Sequence, residues 1–202
     1  MRKLWTVLVI LSCLSLTNCG YNAIQTTDEQ VKANWSEVVN QYQRRADLVP
    51  NLVNSVKGFA QQEKDVLLGV TEARSKVGSI NVTPDMVNDE AKLKQFSQAQ
   101  GQLSGALSRL LVVTENYPQL KSDALFKDLM SQLEGTENRI TVARNRYIKS
   151  VQDYNVGVRT FPNNITAMMF GYKEKANFSV ANEGEISTAP KVDFNPTPAP
   201  AK

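Results

Sequence analysis

Residues 31–77 carry the pattern that decides the fold, and they read VKANWSEVVNQYQRRADLVPNLVNSVKGFAQQEKDVLLGVTEARSKV. Mostly apolar side chains recur at every third or fourth position along this stretch, as in a helix that packs lengthwise against other helices. The pattern keeps its phase across Pro50, so we expect a kink there between two collinear helical segments. The first segment should start with Asp28 as N-cap and reach about Val49, and the second should end near Gly78. The repeating positions are Val31, Trp35, Val38, Tyr42, Arg45, Val49, Leu52, Val56, Phe59, Glu63, Val66, Val70, Ala73 and Val77.

Two further segments show the same spacing. One follows the helix-start signal Thr83-Pro84 and ends before Pro118, and the other starts near Ser122 and ends before Pro162. Short connections between long helices place consecutive helices antiparallel. The sequence therefore predicts an all-α fold, an elongated up-down antiparallel bundle of three long helices. With the first helix kinked at Pro50, the fold can also be counted as a four-helix bundle.

The N-terminus has the features of an export signal. Arg2 and Lys3 precede an apolar run of 13 residues, Leu4 to Leu16, and Leu16-Thr17-Asn18-Cys19 resembles a bacterial lipobox. The run is shorter than the roughly 20 residues that a membrane-spanning helix needs. We therefore expect residues 1–18 to be a lipoprotein-type signal peptide and Cys19 to become an acylated N-terminus. An uncleaved N-terminal membrane anchor is the alternative.

Composition divides the rest of the chain into three parts. Residues 19–27 are expected to be a short tether, residues 28–181 the helical bundle domain, and residues 182–202 a mobile, Pro-rich tail. Within the bundle domain, the apolar cluster after Asn163 should fold back on the bundle end. Gly20, rather than an aspartate, follows Cys19, which in a Gram-negative cell favours the outer membrane over the inner one.

The charge and composition argue against several function classes. Lys and Arg exceed Asp and Glu by three, and by one after removal of Arg2 and Lys3, so nothing favours a nucleic-acid partner. The chain has no histidine, the commonest general base and metal ligand. It also lacks nucleophile-elbow and phosphate-loop spacings. We therefore predict no catalytic residue, no metal and no cofactor.

Several motifs resemble those of the LemA family of bacterial proteins. The likeness is densest from Arg44 to Glu63 and extends over nearly all of the chain that follows the export segment. Gln62 differs from the family pattern, in which a histidine is common, and this argues against metal chemistry at that position. The matching motifs are Tyr21-Asn22, Trp35-Ser36, Arg44-Arg45-Ala46-Asp47-Leu48-Val49-Pro50-Asn51-Leu52-Val53, Val56-Lys57-Gly58-Phe59-Ala60, Asn145-Arg146-Tyr147, Asp153-Tyr154-Asn155, Phe161-Pro162 and Pro190-Lys191-Val192-Asp193-Phe194.

The resemblance implies a membrane-anchored helical bundle that faces away from the cytoplasm and has no established enzymatic activity. Some members of the family are associated with membrane organelle formation or lie beside membrane proteases. Family members often carry a membrane-spanning N-terminal anchor where this chain has a lipobox.

Arg45 and Glu63 are charged residues at positions that should be buried between helices. A buried charge costs several kcal/mol unless it is paired. We expect Arg45 to pair with an acidic residue of the last helix and Glu63 with a basic one. Alternatively, both belong to a polar interaction patch beside the structural kink at Pro50, together with Arg44, Asp47 and Asn51.

The function predicted from these features is that of a non-enzymatic, membrane-anchored lipoprotein that acts as a scaffold or protein-interaction module. It should lie on the extracytoplasmic side of a bacterial membrane, with an unidentified membrane or periplasmic protein as partner. The alternative is a carrier for a small lipid or peptide held in a groove lined by Met168, Phe170 and Tyr172. The sequence does not indicate an oligomeric state.

Overall fold

The computed structural model describes the backbone of residues 2–178 and the side chains of residues 20–178. The proposed tail, 182–202, lies outside these residues, and so does the side chain of Cys19. The described chain is built from helices, which confirms the predicted all-α class. They are α1 (Arg2–Phe59), α2 (Lys64–Gly78), a 3₁₀ helix (Pro84–Asn88), α3 (Glu90–Thr114), α4 (Pro118–Ser122), α5 (Ala124–Arg159) and α6 (Asn163–Phe170).

The first helix starts much earlier than predicted. α1 runs without interruption for 58 residues, so residues 19–27, expected as a tether, are helical, and Asp28 is an interior residue rather than an N-cap. Ile24 explains part of this difference, because it is buried in the bundle and extends the apolar face of α1 toward its N-terminus. From Gly20 to Phe59 the helix is about 60 Å long.

Pro50 lies inside α1, and the chain reverses direction ten residues later, at Ala60–Glu63. The predicted collinear continuation of α1 into α2 is therefore wrong. α2 runs back along α1, as shown by the hydrogen bond from Arg74 Nε to the Ala46 carbonyl (2.9 Å). The three-and-four spacing passes through this turn at Phe59 and Glu63, but Phe59 is 44% exposed and Glu63 lies in the turn itself, so the two positions do not continue the buried face of a helix.

The body is an up-down four-helix bundle of α1, α2, α3 and α5. α3 runs parallel to α1, since Phe96 near its start packs on Tyr42, and Tyr117 just after its end reaches Glu63. α5 runs antiparallel to α1 over most of its length, as the pairs Arg45–Glu137 and Asn34–Arg146 show. The bundle therefore has four long helices, as in the second of the two predicted counts. The first of them is separated from the second at Ala60–Glu63 rather than at Pro50.

Buried apolar side chains form two clusters, one in each half of the bundle. The proximal core, near the N-terminal end of α1, contains Ile24, Val31, Trp35, Val38, Tyr42, Met86, Val87, Leu93, Phe96, Ile140, Ala143, Tyr147, Val151, Tyr154, Val158 and Ala167. The distal core, near the turn that joins α1 to α2, contains Val49, Leu52, Val56, Ala60, Leu67, Val70, Ala73, Leu103, Leu107, Leu110, Leu120, Phe126, Leu129 and Leu133.

Residues 172–178, which we call the closing segment, cover one side of the proximal core. Gly171 ends α6 in the left-handed conformation (φ 73°), which glycine adopts without strain, and so turns the chain back onto the bundle. Tyr147 Oη donates to the Ala176 carbonyl (2.8 Å), and Ala176 N donates to the Val87 carbonyl (2.9 Å). The chain after Asn163 returns to the bundle end as predicted, as far as Phe178, but the apolar cluster expected to make this contact does not. Ile165, Met168 and Phe170 are exposed, and the contact is made by Thr166, Ala167 and the closing segment.

Candidate functional site

A layer of buried polar side chains separates the two cores. Arg45, with a side chain only 1% exposed, lies at its centre. Its guanidinium donates to Ser104 Oγ (2.8 Å), to Glu137 Oε1 (3.0 Å) and to the main-chain (3.1 Å) and side-chain oxygens of Gln100. It also lies over the ring of Tyr42, 5.0 Å from the centroid. The predicted pairing of Arg45 with an acidic residue of the last long helix is confirmed, with Glu137 as the partner.

The sequence did not reveal the rest of this layer. Gln100 and Ser104 lie one turn apart on α3, and both face Arg45 rather than solvent. Gln100 shares the three-and-four spacing of the apolar residues of α3, and this position is the signal that could have marked it as buried. Arg45 fixes the register of α1 relative to α3 and α5, because a shift of α1 by one helical turn would leave the buried guanidinium without these partners.

The structure divides the five residues of the predicted polar patch among three places. Arg44, Asp47 and Asn51 are exposed and form a single stripe along α1. Arg45 points into the bundle instead. Glu63 lies in the turn after α1, about 20 Å from the exposed stripe along the helix axis.

The predicted pairing of Glu63 with a basic residue of the last helix is wrong. Glu63 Oε1 accepts a hydrogen bond from Tyr117 Oη (3.1 Å). Because the chain reverses at Ala60–Glu63, Glu63 faces the connection after α3 and not α5. The neighbouring carboxylate and burial of the phenol both raise the pKa of Tyr117, burial having the larger effect.

Pro50 is accommodated by a contact from α2. A proline has no N–H, so the carbonyl of Ala46, four residues earlier, receives no main-chain hydrogen bond from it. Arg74 Nε of α2 donates to that carbonyl at 2.9 Å. The proline therefore creates an acceptor that helps to hold α2 against α1.

A second charged cluster joins the closing segment to α1. Lys175 Nζ contacts Asp28 Oδ1 (2.7 Å) and Asn88 Oδ1 (3.0 Å), and Lys32 Nζ contacts Asp28 Oδ2 (2.7 Å). Burial by itself would raise the pKa of Asp28, but the hydrogen bonds from Lys175 and Lys32 outweigh it, and the pKa lies below its ordinary value of 3.8. Burial raises the pKa of Tyr154, whose ring lies beneath Lys175 Nζ, to about 12.

This cluster had no signal in the sequence, because Asp28 and Lys175 lie near opposite ends of the described chain. Asn155 strengthens it by bonding both main-chain groups of Lys175, accepting from the N–H (2.8 Å) and donating to the carbonyl (3.0 Å). The closing segment is thus fixed to α1 and α5 by charge and by directional hydrogen bonds.

The groove predicted for a lipid or peptide is not formed by the residues proposed for it. Met168 and Phe170 are exposed by 84% and 59%, and Tyr172 packs at the surface beside Tyr21. A cleft of about 650 Å³ lies instead between α1, α2 and α3, lined by Val39, Tyr42, Ala46, Arg74, Phe96 and Gln100, among others. This volume is within the range of small-molecule sites.

α6 packs against α1 directly after the predicted acylation site. A Cβ atom at Gly20 would lie 2.8 Å from Asn163 Oδ1 and 3.2 Å from Thr166 Oγ1, so glycine permits the close approach of the two helices. The ring of Tyr21 lies 5.0 Å from that of Phe170, measured between centroids. Gly20 and Tyr21 of α1, the end of α5 and α6 therefore meet at one end of the bundle.

Comparison with known proteins agrees with the sequence motifs. The model of the LemA family matches residues 34–194, which include the polar layer, Pro50 and the closing segment. The chain belongs to the LemA family. Within the described part of this LemA-family protein, the structure contains no helix that is both long and apolar enough to cross a membrane.

Three curated relatives are magnetosome proteins. They are magnetosome protein MamQ 1 and MamQ 2 of Paramagnetospirillum magneticum (strain ATCC 700264 / AMB-1) and magnetosome protein MamQ of Magnetospirillum gryphiswaldense (strain DSM 6361 / JCM 21280 / NBRC 15271 / MSR-1). Each is 26% identical over 196 residues, which cover 89% of this chain and 72% of the relative.

Proposed function

We propose that this LemA-family protein is a non-enzymatic scaffold, anchored to a bacterial membrane at its N-terminus and facing the extracytoplasmic side. The observation that carries the proposal is the continuity of α1 from Gly20, the residue after the proposed acylation site, to Phe59. The residues next to Cys19 and the first helix of the bundle are one element. An anchor at the N-terminus would therefore hold the body in a defined position, with its long sides available to protein partners.

The anchor proposed is an acylated Cys19. A single acyl chain binds a membrane only marginally, so stable attachment needs several acyl groups on this residue. Gly20 after Cys19 favours the outer membrane if the cell is Gram-negative. The name of the magnetosome relatives and the anchoring implied by the family resemblance support a membrane location for this chain.

The proposed surface for a protein partner includes the exposed stripe Arg44, Asp47 and Asn51. These side chains lie on the part of α1 that also supports the polar layer, but they face solvent. Gln43 Nε2 donates to Asp47 Oδ1 (2.8 Å) and partly orders the stripe. The body of the protein can thus present this stripe without changing its own packing.

Attachment is tested by fractionation of cells and intact-mass measurement of the full-length protein. The proposal predicts a membrane-bound chain that begins at an acylated Cys19, and it predicts loss of acylation in Cys19→Ser but not in the control Cys13→Ser. An intact N-terminus that is unaffected by Cys19→Ser would instead establish the uncleaved anchor. A protein absent from the membrane fraction would contradict the proposal.

The scaffold role is tested by crosslinking in intact cells followed by mass spectrometry. We expect a small set of protein partners, and we expect the triple substitution of Arg44, Asp47 and Asn51 by alanine to remove at least one of them without loss of stability. An unchanged partner set in a folded triple variant would exclude the stripe as the interaction surface.

A carrier function is the second candidate, and the cleft of about 650 Å³ between α1, α2 and α3 is the observation that favours it. Its lining combines apolar residues with the polar residues Arg74 and Gln100, which suits a small amphipathic lipid or a peptide. Lipid or peptide that copurifies with the protein, and is lost on Val39→Trp, would support the carrier function over the scaffold.

A further inference from the structure

α6 has the reverse of the side-chain distribution expected for a helix at the surface of a water-soluble body. Its small and polar residues Thr166 and Ala167 are buried against the bundle, at 5% and 4% exposure. Its large apolar residues face outward. Together with Phe161, which precedes the helix, the outward residues form what we call the apolar patch: Phe161 (79% exposed), Ile165 (50%), Met168 (84%), Met169 (71%) and Phe170 (59%).

A contiguous group of large apolar side chains at the surface marks a site of interaction with another molecule or with a membrane. The patch is held in this orientation by the core contacts of α6. Gly20 allows α6 to approach α1 closely, and the Ile165 N–H bonds the Pro162 carbonyl (3.2 Å) at the start of the helix. The exposure of these five residues is therefore part of the packed structure.

The position of the patch indicates its partner. α6 contacts α1 at Gly20, the residue after Cys19, and the apolar run from Leu4 to Leu16 belongs to the same helix. Any membrane that holds the N-terminus through Cys19 or through this run would lie next to the patch. Tyr21 and Tyr172 lie beside Phe170, and tyrosines are favoured where a protein meets the headgroup region.

We propose that the apolar patch of α6 inserts into the headgroup–acyl boundary of the membrane that holds the N-terminus. This inference rests on the proposed membrane anchoring and extends it. The protein then has two contacts with the bilayer, one through its N-terminus and one through the end of its folded body. Amphipathic helices bind membranes in this way, lying in the plane of the interface with the apolar face buried.

Two contacts have a consequence for the scaffold function. A single anchor would let the bundle rotate about its point of attachment, whereas insertion of α6 sets the tilt of the α1 and α5 axes relative to the membrane. The stripe of Arg44, Asp47 and Asn51 would then face partners at a fixed height and direction. The polar layer keeps α1 and α5 in register over the intervening distance.

The test places the photocrosslinker p-benzoylphenylalanine at position 169 in the full-length chain, produced in bacterial cells. Position 112 is the matched control, because Val112 is also 71% exposed but lies at the far end of α3, in the distal half. After illumination, membranes are isolated and adducts are identified by mass spectrometry. Burial of one large apolar side chain favours the inserted position about tenfold or more, so lipid adducts at 169 should exceed those at 112 by at least about tenfold.

A second comparison changes the patch itself. With the crosslinker kept at 169, Met168→Asp should lower the yield of lipid adducts about tenfold, whereas Leu68→Asp, at an exposed distal position, should leave it unchanged. Circular dichroism of both variants checks that the helical fold is retained.

The outcomes separate this inference from the proposed function. A membrane-bound chain whose position 169 reacts with protein, either a second copy or another protein, would overturn insertion and leave the anchor intact. A membrane-bound chain with no lipid adduct at 169 would do the same. A chain absent from the membrane fraction would overturn both proposals.

Discussion

The two halves of the bundle are packed by different kinds of side chain. The proximal core is rich in aromatic residues, including Trp35, Tyr42, Phe96, Tyr147 and Tyr154, and is covered by the closing segment. The distal core is built mostly from leucine, valine and alanine of five helices, α1 to α5. Aromatic packing with tyrosine hydroxyl bonds has directional requirements, whereas aliphatic packing tolerates repacking. The proximal half, next to the N-terminus, therefore tolerates fewer changes in the positions of its buried side chains than the distal half does.

The strongest test of this comparison is a pair of large-to-small substitutions. Trp35→Ala should lower the free energy of unfolding by about 3–5 kcal/mol, and Leu103→Ala by about 2–5 kcal/mol, because each leaves a cavity in a packed core. Urea denaturation measures both values. Hydrogen exchange distinguishes them further, since Trp35 contacts Phe178 and its loss should expose the closing segment. Equal protection of residues 172–178 in the two variants would contradict the difference between the halves.

Substitutions of Arg45 and Glu137, the two charged residues of the polar layer, should lower the free energy of unfolding by different amounts. Arg45→Ala should cost about 3 kcal/mol, because it removes a buried group that binds three side chains. Glu137→Ala should cost about 1 kcal/mol or less, because the Glu137 side chain is 44% exposed and Arg45 keeps its other partners. Equal losses of stability, measured by urea denaturation, would show that the ion pair itself dominates the layer.

The hydrogen bond from Arg74 of α2 to the Ala46 carbonyl, which Pro50 leaves without a main-chain donor, should stabilise the distal half. Arg74→Met should cost about 1 kcal/mol, because the Ala46 carbonyl loses its hydrogen bond. In a Pro50→Ala background, the alanine N–H is available to that carbonyl, so the cost of Arg74→Met should shrink. The double-mutant cycle is measured by urea denaturation, with the exposed Lys76→Met as control. A cost that is the same in both backgrounds would separate Arg74 from the proline.

The smallest expected effect is the change with pH in the free energy of unfolding that Asp28 contributes to the proximal half. The pKa of Asp28 is lower in the folded protein than its ordinary value of 3.8, so its ionised form stabilises the fold above that pH. This contribution is lost as the pH falls below 3.8 and through the lower pKa of the folded state. Asp28→Asn should therefore be less stable than the wild type at pH 7, and the difference should diminish under acid conditions. A difference that is constant with pH would exclude the Asp28–Lys175 contact as its source.

The sequence predicted the helical class, the apolar face of each long helix and the partner type of Arg45. It did so because these features depend on local periodicity and on the cost of burying an unpaired charge. The reversal at Ala60–Glu63 was missed, since Phe59 and Glu63 fit the three-and-four spacing although Phe59 is 44% exposed and Glu63 lies in the turn. The helix continues across Pro50 as predicted, and the contact from Arg74 that offsets the missing hydrogen bond could not be foreseen, because Arg74 is distant in sequence.

The candidate sites were less predictable than the fold. The grouping of Arg45 and Glu63 with the exposed stripe fails for two different reasons. Arg45 points into the bundle, and Glu63 lies in the turn beyond the end of α1. The apolar cluster after Asn163 was recognised, but the outward direction of Met168 and Phe170 depends on how α6 packs on Gly20. The pairing of Asp28 with Lys175 also requires the closing segment to be in place. These contacts arise from tertiary packing and leave no periodic pattern in the sequence.

α1 joins Cys19 to the bundle as one uninterrupted helix, and hydrogen–deuterium exchange of the membrane-bound protein tests this continuity most directly at residues 24–27. The first four amides of a helix that begins at Cys19 have no main-chain acceptor, so they are left out of the comparison. Main-chain hydrogen bonds of a continuous helix protect amides, so residues 24–27 should exchange as slowly as residues 31–42. Complete exchange of residues 24–27 at the earliest time point, with residues 31–42 still protected, would establish a flexible tether and contradict the continuity of α1.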